Sequence, residues 1–173
     1  EAGAKGARLV IVCNPNAPTG EFFDSERIAV LAERLAGKAV VLVDEAYADF
    51  SRDNSVGLVK EYDNLLVLRS MSKGCSRAGL RFGYGIAEAG LIKGLMKVKD
   101  SYNVDAAATA AATAAIKDQE YFRGNVEKIK GQRAELGGKL REMGFEVGES
   151  ETNFLFVRPV GIEPGVLYEI LVE

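Results

Sequence analysis

The chain has 173 residues, 47% apolar and 27% charged, with a net charge of −3, a balance that describes a globular fold with a real core and gives no reason to expect nucleic acid or a membrane as partner. No apolar run approaches membrane-spanning length, and "EAGAKGARLVIV" lacks a signal-peptide layout. There is no histidine, which removes Ser-His-Asp and Cys-His catalysis and the common histidine-based metal sites.

Taken in order, the predicted elements begin with the apolar run "RLVIVCN" (8–14), followed by "NPNAPTG" (14–20), whose Pro15, Pro18 and Gly20 predict a loop of fixed shape. Next comes a helix over "DSERIAVLAERLAG", with Asp24 or Ser25 as its cap, Ile28, Leu31, Ala32 and Leu35 on one face, and Gly37 to end it. Further strands follow at "AVVLVDE" (39–45), "LLVLRS" (65–70) and "RFGYGIA" (81–87). These runs are nearly continuous rather than alternating, which suits a parallel-type sheet covered on both faces. Strand, helix, strand is a βαβ unit, so the fold class is α/β.

After residue 87 the pattern turns helical. "EAGLIKGLMKVKDSY" is amphipathic, "VDAAATAAATAAIKDQE" predicts an alanine-rich helix packed closely against neighbours, and the segment from Glu120 to Gly144 keeps helical spacing through Phe122, Val126, Ile129, Leu136 and Leu140. "FEVGES" and "NFLFVRP" predict two short strands. The change of pattern places a domain boundary near residue 120, dividing the chain into 1–120 and 121–173. The last stretch, "GVLYEILVE", reads as the middle of a helix, and the first strand reads as a central one. The chain is therefore expected to be a piece of a longer protein.

Candidate chemistry collects in the first half. Asp44 and Glu45 end the second strand, at the edge where open α/β sheets bind ligands; taken alone, Asp44 reads first as the cap of a helix that follows it. A Walker B role has no G-x-x-x-x-G-K-[ST] to accompany it, and "GYGIAEAG" has the wrong spacing for a dinucleotide fingerprint. Lys73 follows the third strand between Ser70, Ser72 and Gly74. A desolvated lysine there can form a Schiff base with a carbonyl, and Arg81 can hold a phosphate bidentately beside the serine hydroxyls. Lysine, anion clamp and aspartate together suggest pyridoxal phosphate. Arg77 reads as a solvated charge. Cys13 and Cys75 read as free thiols of a reducing cytosol, which implies a cytoplasmic location.

In order and spacing, "NPNAPTG", "VDEAYADF", "SMSK" and "RAGLRFGYG" resemble the class I/II aminotransferases of fold type I. The resemblance implies part of a three-layer α/β/α large domain, followed by part of a small α+β domain. It implies that Lys73 carries pyridoxal phosphate and later moves the substrate Cα proton. It also implies that Asp44 pairs with the ring nitrogen, Tyr47 donates to the phenolic oxygen, and Arg81 with Ser70 or Ser72 binds the phosphate. A small-molecule amino donor, a 2-oxo acid acceptor and a homodimer are implied as well. "DEAYADF" and the asparagine-rich loop resemble the histidinol-phosphate subgroup, and phosphorylated-amino-acid decarboxylases are the neighbouring alternative. A ligand-sensing domain of the same fold without catalysis is the other. One departure is plain: where the family has asparagine before Pro-Thr-Gly, this chain has Ala17. The family's glycine-rich phosphate loop and its substrate-carboxylate arginine have no match here, Arg158 lying too early, so this piece alone is expected to hold the cofactor weakly.

Overall fold

A computed structural model describes residues 6–172. The opening residues of "EAGAKGARLVIV" and the closing glutamate of "GVLYEILVE" lie outside the described residues. The first half is a four-stranded sheet in the order β1 (Leu9–Cys13), β2 (Val40–Asp44), β3 (Leu65–Ser70) and β4 (Gly83–Ala87). The first three strands are parallel, with Cys13 level with Asp44 and Asp44 level with Leu68. β4 runs antiparallel, pairing Ser70 with Gly83, against the expectation of a parallel-type strand. Between them the chain makes only tight turns and one 3-10 turn, Ala78–Leu80. Without a helix to carry it across the sheet it folds straight back.

Strand alternation divides the side chains between the two faces. Val41, Val43, Leu65 and Val67 form the core with Ile28 of α1 (Ser25–Leu35), and Val56, Leu58 and Val59 close over the same face. The apolar face expected for α1 is the one that packs. On the opposite face Leu9 and Ile11 are 50% and 61% exposed, so the sheet is covered on one side and open at β1 on the other. A run of apolar letters shows that a strand suits burial; it does not show what buries it.

The α1 cap also differs from expectation. Asp24 occupies the cap position but makes no capping bond, and the free amide of Ser25 donates instead to Asp53 Oδ2 at 3.0 Å. Hydrogen bonds from Ser25 hold the Asp53 carboxyl below its ordinary value.

The second half contains α2 (Ala89–Met96), α3 (Ala106–Lys117), α4 (Gln119–Glu142), a two-stranded antiparallel sheet of β5 (Glu146–Val147) and β6 (Val157–Arg158), and α5 (Pro164–Val172). α3 is not closely packed over most of its surface: only Ala108 and Ala112, one turn apart on a single face, are buried, and most of the remaining alanines are exposed. α4 runs unbroken across Gly124, Gly131, Gly137 and Gly138. Its buried residues are Val126 and Gly137, while Leu136, expected on the packed face, is 52% exposed. Gly137 lies beneath Leu155 and Val147, where an added Cβ would make ordinary contacts.

The two halves meet through Arg52. Its guanidinium bridges Asp24 Oδ1 and Glu151 Oε1, both at 2.8 Å, and stands 4.7 Å from the Phe22 ring centroid. Replacing Asp53 with alanine should lower stability by about 1 kcal/mol, the usual worth of a helix cap. Asp24→Ala should remove no cap, and denaturant titration of the two variants compares them.

Candidate active site

The loop at 14–20 is built by its asparagines. Asn14 is 1% exposed; its side chain donates to the Phe23 carbonyl and accepts the Phe23 amide, both at 2.8 Å. Asn16 Nδ2 donates to Thr19 Oγ1 at 2.8 Å, and the Asn16 carbonyl accepts the Gly20 amide. Both X-Pro bonds in the loop, at Pro15 and Pro18, are cis. Ala17 is exposed. Both asparagines are thus occupied in shaping the loop.

Asp44 closes β2 on the open face, on the same side as Cys13 and Ser70. Its Oδ1 accepts the Ala46 amide at 3.0 Å, a local turn rather than a helix cap, and Oδ2 has no partner among the described residues. That free oxygen can accept a proton from a ligand. Glu45, one residue on, faces the other way. It is 1% exposed, accepts the Ser55 amide and pairs with Arg69 at 3.3 Å, so the two adjacent acids do not act together.

Tyr47 and Lys73 meet. The Lys73 ammonium lies 4.8 Å from the Tyr47 ring centroid, a cation–π distance. Tyr47 also meets Phe154, the two rings standing edge-to-face at 5.3 Å. Phe154 comes from the second half of the chain, in "ETNFLFVRP", where the letters predict only a strand. Nothing in the spacing could have paired positions 47 and 154.

The turn after β3 is pinned by bonds from Ser76 N to the Lys73 carbonyl and from Arg77 N to the Met71 carbonyl, both 2.9 Å. Ser70 Oγ accepts the Ser72 amide at 3.1 Å, which leaves the Ser70 hydroxyl proton to donate elsewhere. Arg81 returns beside this turn because the Met71 amide donates to the Phe82 carbonyl. Its guanidinium donates to the Ala78 carbonyl at 3.1 Å and is exposed. Among the described residues, the two non-glycine positions with left-handed backbone are Ser76 (φ 53°) and Arg81 (φ 52°). Conformations of this kind concentrate at functional sites. Arg77 is exposed, as expected; Arg158 pairs with Glu146 and holds that carboxyl below its ordinary value.

The structure therefore gathers Asp44, Tyr47, Ser70, Ser72 and Lys73 at the carboxyl edge of the sheet and brings the Arg81 backbone back beside them. An amine, a carboxylate, a phenol and hydroxyl donors suit a ligand with a carbonyl, a basic nitrogen and an anionic group, and pyridoxal phosphate carries all three. A mixed sheet whose polar side chains converge on this edge is the large-domain layout of the fold type I class. The histidinol-phosphate aminotransferase structure from Clostridium acetobutylicum superposes with a TM-score of 0.90 at 29% identity, over 99% of this chain and 53% of its own. That from Sinorhizobium meliloti, in complex with pyridoxal-5'-phosphate, gives 0.83 at 28% identity, over 90% of this chain and 43% of its own.

The chain belongs to the class I and II aminotransferase family, whose sequence model matches residues 1–163. Among curated relatives, histidinol-phosphate aminotransferase 1 of Trichormus variabilis is 42% identical over 98% of this chain and 48% of its own length. The chain spans about half the length of the curated relatives it matches.

Two outcomes test this geometry. Gly20 and Gly37 both have positive φ, 81° and 68°, but a Cβ on Gly20 would meet Ser150 Oγ at 2.7 Å and one on Gly37 meets nothing. Gly20→Ala should therefore lower the thermal midpoint further than Gly37→Ala, the difference measuring the contact between the loop and the 150–154 segment. Burial pushes the Glu45 carboxyl above its ordinary value of 4.5. A raised carboxylate pKa means that the folded state binds the proton more tightly. Stability should then fall as pH rises from about 4.5 through the folded value. Glu45→Gln should flatten that slope in denaturant titrations across acid pH.

Proposed function

We propose that this chain is the cofactor-bearing part of a pyridoxal-phosphate-dependent aminotransferase acting through Lys73. In this reading residues 1–120 form the large-domain part and 121–173 the start of the small domain. The observation that carries it is the convergence of the Lys73 amine, the Tyr47 ring and the Asp44 carboxylate on one open sheet edge.

When bound, the cofactor supplies an aldehyde that joins to amino groups and a ring that withdraws electrons from the substrate Cα. Asp44 would keep a proton on the ring nitrogen through its free Oδ2. Tyr47 would donate its hydroxyl to the cofactor's phenolic oxygen, its ring face keeping the Lys73 ammonium close. Ser70, Ser72 and Arg81 would bind the phosphate. Lys73 would hold the cofactor, and its amine would take and return the substrate Cα proton.

The amino group passes between an amino acid or amino-alcohol phosphate and a 2-oxo acid. Histidinol phosphate is the substrate favoured by the names of the relatives at 42% and 43% identity, which makes histidine biosynthesis the pathway. The family resemblance extends the reading to a cytoplasmic homodimer. Cys13 and Cys75 are unpaired, and among the described residues no helix is long and apolar enough to cross a membrane.

Adding pyridoxal phosphate to the full-length protein, reducing with borohydride and mapping the modified peptide should place the label on Lys73. Label on another lysine, or none, would overturn the cofactor assignment.

A further inference from the structure

Behind the Lys73 turn, on the sheet face away from Asp44, lies a buried ionic chain to which the proposed reaction assigns no task. Glu45 pairs with Arg69 Nη1, and Arg69 Nη2 pairs with Asp49 Oδ1. Their side chains are only 0%, 16% and 9% exposed respectively. The Asp49 side chain fills the space against Gly74: a Cβ on Gly74 would lie 2.8 Å from both Asp49 Cβ and Cγ. By contrast, Gly57 and Gly79 have nothing within 4 Å of an added Cβ. Gly74 is buried and adjoins Lys73.

Each member of this chain sits one or two residues from a group of the site. Glu45 adjoins Asp44, Asp49 is two positions beyond Tyr47, Arg69 adjoins Ser70, and Gly74 adjoins Lys73. The charges are well enough buried that losing one partner would leave another uncompensated, unlike an exposed pair. Arg69 also lies level with Tyr84 on β4, where burial raises the phenol above its ordinary value. The network therefore joins the ends of β2 and β3, the 3-10 turn Ala48–Phe50 and the lysine turn into one rigid block.

We propose that Asp49, clamped by Arg69, is a positioning residue: it is the seat on which the Lys73 turn rests, and it sets where the Lys73 amine stands against Tyr47 and the open sheet edge. This rests on the reading that Lys73 carries the cofactor. A displacement of about 1 Å in such a group is enough to slow its chemistry by two orders of magnitude. Asp49 touches neither substrate nor cofactor in this account and acts only through Gly74.

The test uses the full-length protein with added pyridoxal phosphate, comparing wild type with Asp49→Asn, Gly74→Ala and Arg69→Lys. Three quantities are read: the thermal midpoint, the pH midpoint of the visible band of lysine-bound cofactor, and the rate of borohydride-trapped labelling at Lys73. Asp49→Asn and Gly74→Ala should slow labelling about tenfold or more and displace the pH midpoint. Arg69→Lys, which keeps one charge but loses the fork, should fall between them and wild type. A displaced pH midpoint beside an unchanged thermal midpoint separates the seat from a loss of general stability. Wild-type label on Lys73, with variants matching its rate and pH midpoint, would overturn the seat alone. Wild-type label elsewhere would overturn the cofactor reading and the seat together. Should Asp49→Asn or Gly74→Ala not fold, Arg69→Lys carries the same test, and wild-type labelling rate and pH midpoint in it overturn the seat.

Discussion

Asp44 and Glu45 are neighbours in sequence and lie on opposite faces of the sheet, and much of the site's geometry descends from that split. The strand period of two sends one carboxylate to the open edge and the other into the core. A buried carboxylate requires a partner, and Arg69, on the same face of β3, supplies it. Arg69 in turn fixes Asp49, and with it the 3-10 turn that follows Tyr47. Shifting β2 by one residue would exchange the two acids, sending Glu45 to the open edge and Asp44 to the face of Arg69.

The open edge works because the core face is saturated. α1 and the Val56–Lys60 turn cover Val41, Val43, Leu65 and Val67, so β2 and β3 are held in register without help from the other side. Asp44 and Ser70 are then presented by a rigid ladder, as a site needs when reacting groups must keep their spacing. Ser76 and Arg81, with their left-handed backbone, stand where the chain must turn sharply to bring Arg81 back beside Ser70.

The second half of the chain contributes to the site by leaning on it. Phe154 stands edge-on to Tyr47, Ser150 crowds Gly20, and Arg52 ties Asp24 to Glu151. The clasp is exposed, so salt screens it and its energetic worth is small. The backbone bond from Glu151 N to the Gly20 carbonyl at 3.0 Å is what salt leaves in place. Tyr47 therefore sits between the two halves, with its position depending on both.

Much of this was legible in the letters. Continuous Val/Leu/Ile runs specify the strands, the spacing of Ile28, Leu31, Ala32 and Leu35 specifies one helical face, and the order of "NPNAPTG", "VDEAY", "SMSK" and "GLR" identifies the family. These are local signals, because side-chain period and turn chemistry act within a few residues. Tertiary structure alone decided the rest: the antiparallel return of β4, the cap given to α1 by Asp53, the partner of Tyr47, and the burial of Glu45 with Arg69 and Asp49. Each of these depends on which distant segment arrives at a given surface. A carboxylate written in the sequence is the same letter whether it will bind a ligand or hold the floor beneath one, and only the packing around it separates the two.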